Sequence, residues 1–136
     1  MKKFLIHGIT AGILTAAAGI VYQKVYENAL FLDFSLVINP GSIAGASIFG
    51  CILMAIGYGL LERFKKTNLK GWLNVLIAIL SFLSILGPLS MSLPLEVEFP
   101  EMLPGLAIPM HFFPAMIFFG LYPFFTKPTL NEKPNN

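Results

Sequence analysis

Hydrophobic residues in this chain come in long runs rather than in alternation with polar ones. Four stretches contain no Asp, Glu, Lys or Arg: Phe4–Gln23, Phe34–Leu61, Gly71–Leu95 and Met102–Thr126, together 98 of the 136 residues. A helix rises about 1.5 Å per residue, so about 20 apolar residues cross a hydrocarbon core about 30 Å thick. Each run is long enough for one crossing and none for two. The pattern predicts an all-α, up-down-up-down bundle of four transmembrane helices over residues 4–26, 42–61, 72–91 and 105–125. Backbone N–H and C=O groups find no water in lipid, which requires each crossing to be helical. Runs such as Ile52–Ile56 and Val75–Leu80 lack the alternating polarity of a membrane barrel strand.

The connections divide by charge. Lys2 and Lys3 precede the first span, Arg63, Lys65, Lys66 and Lys70 fill the link between the second and third, and Lys127 and Lys133 follow the fourth. Four crossings put these eight on one side and leave only Lys24 on the other. The acids divide the opposite way, with Glu27, Asp33, Glu96, Glu98 and Glu101 beside Lys24 and only Glu62 and Glu132 beside the basic groups. One side carries net +6 and the other −4. Lys and Arg orient insertion, so both termini are expected in the cytoplasm, in a multi-pass protein of the plasma (inner) membrane. The total of +2 therefore points to the lipid bilayer as partner and not to nucleic acid. Residues 127–136 read as a short polar cytoplasmic tail.

The N-terminus admits a second reading. Lys2-Lys3, an apolar run and Ala16-Ala17-Ala18 resemble a cleavable signal peptide. Against cleavage, His7, Gly8 and Thr10 weaken the apolar core and the pattern continues to Tyr22, so a retained first helix is expected.

The two outer loops are unusually apolar. Leu30–Ile38 is too hydrophobic for a freely solvated loop. Leu95-Glu96-Val97-Glu98-Phe99 alternates with the period of a half-buried strand, between prolines that confine it to an edge. Either the loops fold over the bundle as a small extended or β cap, or they lie in the headgroup layer.

Composition agrees with the runs. The chain is 56% hydrophobic and 12% charged, against about 45–50% and about 25% in soluble domains. That excludes a soluble enzyme, a disordered tail or a nucleic-acid module. A single cysteine, Cys51, excludes a disulfide scaffold and any paired-thiol chemistry.

Small and polar residues inside the spans mark where helices meet. Gly8, Gly12, Ala16 and Gly19 recur at helical spacing in the first span. Ser42, Ala46, Gly50 and Gly57 do so in the second. Such rows let backbones approach closely in lipid, and the bland reading, a packing seam, is the expected one. In the third span, positions 74, 78, 81 and 88 share a face predicted to point inward. In the fourth, His111 lies between Pro109 and Pro114, which free the carbonyls of Gly105 and Met110. That suits a ligand or proton site, and equally a histidine satisfied by its neighbours. Depth along the spans groups the polar residues into two clusters. The outer one is a pocket candidate made of Gln23, Ser84, Pro88 and His111, rimmed by Lys24 and Glu27; the inner one holds His7, Asn74 and Tyr122. The two histidines fall about 15 Å apart along the membrane normal, too far for shared ligation at bonds of about 2 Å, so no metal or cofactor is expected. No carboxylate sits within a span core, which argues against a proton-coupled antiporter of the small multidrug-resistance type. No catalytic set is recognisable.

Trp72, Ser84-Ile85-Leu86-Gly87-Pro88-Leu89-Ser90 and Leu106-Ala107-Ile108-Pro109-Met110-His111 resemble segments of a group of small, uncharacterised bacterial four-helix integral membrane proteins. The resemblance covers residues 72–125. It implies an architecture without an activity, and it joins Pro88 and His111 in the outer half of the bundle. The expected function is a non-enzymatic accessory or scaffolding component, as a homo-oligomer through the Gly/Ala rows or in a larger membrane complex. The alternative is binding or transport of a small apolar or lipid-like ligand in the outer pocket around His111, and the third reading is a membrane enzyme dependent on His111.

Overall fold

A computed structural model describes residues 2–126; the polar tail expected at 127–136 lies outside them. The elements are α1 (Lys2–Leu30), α2 (Pro40–Arg63), α3 (Lys70–Ser84), α4 (Leu86–Ser90) and α5 (Leu103–Phe125). Short 3₁₀ turns at Thr67–Leu69 and Pro100–Met102 precede α3 and α5. With α3 and α4 counted as one broken crossing, four helices among the described residues are long and apolar enough to span a membrane. The chain forms an all-helical bundle.

Local chemistry sets the helix ends. Asn39 caps α2: its Oδ1 accepts the Ser42 N–H at 2.9 Å, Ser42 Oγ accepts the Asn39 N–H at 3.2 Å, and Pro40 opens the first turn. At the other end of α2, Lys65 takes a left-handed conformation, and Lys66 N–H reaches back to Leu61 O at 2.9 Å. This closes the exposed carbonyls of the last turn. Phe31 does the same after α1, with Leu32 N–H on Glu27 O at 2.9 Å. Helix α1 thereby runs four residues beyond the expected end at Tyr26. The third crossing breaks at Ile85, whose N–H turns to Phe82 O, and Pro88 cannot donate to Ser84 O.

Burial is uneven. Helix α1 buries Phe4, His7, Gly8, Ala11, Gly12, Thr15, Ala16, Gly19, Gln23 and Glu27, a stripe along its whole length. Its glycines meet α2. A Cβ on Gly8 would lie 2.6 Å from Ala55 Cβ, one on Gly12 2.8 Å from Ile48 Cα, and one on Gly19 2.8 Å from Ile43 Cγ2. The row is a seam within the chain. The α2 side of that seam is Ile43, Ile48, Cys51 and Ala55, and not the expected Ala46 and Gly50. Ala46 is exposed, and the nearest atom to a Cβ on Gly50 is Pro114 Cβ at 4.0 Å. Helix α3 buries only Ile77. The expected inward face of 74, 78, 81 and 88 is met in part: Asn74 is bonded to Tyr58 of α2, Ser81 and Pro88 are turned to the cavity described below, and Ala78 is exposed.

The loops do form a cap, without strands among the described residues. Phe34, Val97, Leu103 and Leu106 are buried together, flanked by Tyr22, Tyr26, Leu32, Val37 and Ile38. Of the alternating segment only Val97 is buried, while Leu95 and Phe99 are exposed. The prolines at 94 and 100 confine the loop to turns, so burial falls on one anchor instead of on a strand face.

Candidate functional site

The half of the bundle beneath the cap contains a cavity of about 770 Å³. It lies between α2, the broken α3–α4 crossing and α5, with Thr15 and Gly19 of α1 as its back wall. This volume falls within the range of small-molecule sites, about 300–1,000 Å³. Small residues make the room. Ala46 and Gly50 of α2 and Gly87 of α4 present almost no side chain to it, and Ile77 and Leu80 of α3 face them across it. The cavity exists because α3 packs loosely, and the break at Ile85 turns Gly87 and Pro88 into its wall.

Its lining contains no Asp, Glu, Lys or Arg. The polar groups are the hydroxyls of Thr15, Ser42, Ser47, Ser81 and Ser84 and the imidazole of His111. His111 Nδ1 is 2.9 Å from Ser84 Oγ. That contact is the polar tie between the third crossing and α5. Thr15 Oγ1 is 3.8 Å from Cys51 Sγ, behind the lining, and the Cys51 thiol donates to Pro114 O at 3.8 Å.

Among the residues singled out from sequence, Ser84, Pro88 and His111 line the cavity together. Gln23 does not. Its side-chain amide donates to Glu27 Oε1 at 2.9 Å and to Ile38 O at 2.9 Å. Glu27 Oε1 also accepts the Phe34 N–H at 3.3 Å, and Lys24 Nζ stands 3.7 Å from Glu27 Oε2. These residues fasten the first loop to α1, and the polarity that suggested a pocket serves the cap. The carbonyl freed by Pro109 is taken as well: Tyr22 donates to Gly105 O at 2.8 Å.

The inner residues are near one another but do not form one hydrogen-bonded cluster. His7 Nε2 donates to Phe118 O at 2.9 Å, and its ring stacks on Phe118 and Phe125 with Tyr122 at 6.0 Å. A carbonyl only accepts, so Nε2 carries the proton and Nδ1 is left without a partner among the described residues. Asn74 is bonded to Tyr58, a residue the sequence reading missed. Tyr58 also packs against Tyr122, with ring centroids 5.0 Å apart. Comparing depths, which had paired His7 with Asn74, could have found Tyr58 one helix away. No cluster of three metal-ligating side chains occurs among the described residues.

No protein-family model, curated protein or solved structure matches the chain.

Proposed function

We propose that this chain is a non-catalytic multi-pass protein of a bacterial inner membrane that binds a small apolar or lipid-like molecule in the cavity beside His111. The carrying observation is the cavity itself: apolar, uncharged, and bearing a single tied imidazole at its edge. The eight basic residues of one side support a cytoplasmic position for both termini, and with that orientation the cavity would open in the outer leaflet. A scaffolding role through the Gly/Ala row has less behind it, because Gly8, Gly12 and Gly19 are spent on the α1–α2 seam.

Photolabelling tests this. A long-chain alcohol bearing a diazirine, added to the protein in phosphatidylcholine nanodiscs, should label lining residues such as Leu80, Met110 and Phe113 saturably. Ala46→Trp, which fills the cavity from α2, should abolish that labelling. Labels spread without saturation over lipid-facing residues such as Ile13 and Leu76, unaffected by Ala46→Trp, would remove the proposal.

A further inference from the structure

The hydrogen bonds around Ser84 and His111 determine what kind of head the ligand carries. Ser81 O lies where the third crossing breaks. Its ordinary α-helical donor would be the N–H of Ile85, which turns instead to Phe82 O at 3.2 Å. The donor that reaches Ser81 O is the Ser84 hydroxyl, at 2.7 Å. Serines commonly bond back to a carbonyl of the preceding turn in this way. A hydroxyl has one hydrogen. With that hydrogen on Ser81 O, Ser84 Oγ meets His111 Nδ1 as an acceptor, so Nδ1 carries the imidazole proton. In the neutral ring Nε2 is then a bare lone pair, and no side chain or backbone group among the described residues donates to it. His111 lines the cavity, so its ring has an acceptor left over and is in want of a donor.

Charge narrows the class further. Among the described residues no cation lines the cavity, and the end of α1 and the loops on this side carry Glu27, Asp33, Glu96, Glu98 and Glu101 against Lys24 alone. A phosphodiester or carboxylate would lose its hydration without gaining a counter-charge.

We infer that the ligand is a neutral, hydroxyl-bearing amphiphile whose O–H donates to His111 Nε2 while its chain fills the space between α2 and α3. Alcohols, acylglycerols and quinols share this chemistry; ethers, quinones, alkanes and anionic lipids do not. The inference rests on the cavity being a binding site, as proposed above.

Competition separates the two. The diazirine alcohol bound to the protein in nanodiscs at pH 8, where an unperturbed imidazole is neutral, is displaced by dodecanol, its methyl ether, dodecane or dodecanoate. Dodecanol should displace the label at a mole fraction about 2- to 10-fold lower than the methyl ether, the worth of one hydrogen bond, with dodecanoate weakest. His111→Leu should erase the gap between alcohol and ether and weaken the alcohol probe itself, while leaving the inhibition constant of the ether unchanged. Ser84→Ala keeps the ring but frees its tautomer, and should narrow the gap. Equal displacement by alcohol and ether in the unmodified protein would overturn the donor assignment while leaving the binding site standing. Strongest displacement by dodecanoate would overturn the neutral class. A gap that survives His111→Leu would overturn the role of His111. Unsaturable, scattered labelling would remove the binding site and this inference with it.

Discussion

Replacing Gly12 with alanine should force α1 and α2 apart. The added Cβ would lie 2.8 Å from Ile48 Cα and 3.3 Å from Ile48 Cγ1. Carbon atoms in contact prefer about 3.5–4.0 Å, so the shortfall against Cα is about 1 Å. Cα is backbone, and no rotamer change relieves it; one helix must move. Overpacking of this kind costs about 1–3 kcal/mol. Gly45 supplies the control, because a Cβ there meets nothing within 4 Å. Gly45→Ala should be neutral, or stabilising by up to about 1 kcal/mol from helix propensity. The readout is the unfolding midpoint in mixed micelles titrated with dodecyl sulfate, followed by circular dichroism. Gly12→Ala should unfold at a clearly lower denaturant fraction than Gly45→Ala. Gly8→Ala should behave like Gly12→Ala and be partly rescued by Ala55→Gly, which removes the Cβ at 2.6 Å but leaves Cys51 O at 2.9 Å. Equal midpoints for Gly12→Ala and Gly45→Ala would refute the seam. So would a change of oligomeric state without loss of stability, since that would place the glycine row between copies.

Two further outcomes follow from single hydrogen bonds. Tyr22→Phe strips the donor from Gly105 O, an exposed carbonyl, and should cost about 0.5–1.5 kcal/mol, measured by the same titration; in a Pro109→Ala background, where the new N–H can reach that carbonyl, the cost should largely disappear. Asp33 Oδ1 accepts the Ser35 N–H at 2.8 Å, and this bond, with lesser help from Lys24, holds the carboxyl below its ordinary 3.8. Its stabilising contribution is thus complete above 3.8 and is lost as pH falls through the lowered value. Acid titration of the first loop by NMR should show Ser35 losing amide protection only below about pH 4, and Asp33→Asn, whose side-chain oxygen still accepts, should suppress that transition.

Four helices were legible from composition because a lipid crossing requires a charge-free run of set length, a local property. The same runs hid which face of each helix looks inward. In a soluble bundle polarity contrast marks the buried face, but lipid and protein interior are both apolar. Residues such as Val75, Leu76 and Ile79, half exposed on α3, read no differently from Ile77, which is buried. Small residues gave one partial signal. On α1 the glycines do meet a neighbour; on α2 Ala46 and Gly50 have the same spacing but open a cavity, because what lies opposite them is set by where α3 and α5 sit.

Polar residues were a partial guide to burial, Gln23 and His7 being buried, His111 half-buried and Asn74 and Ser84 exposed, and a poor one to partners. Gln23 and His111 were both marked as enclosed, yet Gln23 spends its amide on Glu27 and Ile38 while His111 meets Ser84 across two helices. The partner of a buried amide or imidazole is chosen by helix rotation, by the turn at Leu30–Phe34 and by the break at Ile85. Span length is a sum over residues close in the chain, so the sequence alone determined it. The cavity is the gap left when the loosely packed third crossing docks against two others, and only the tertiary arrangement decides a gap.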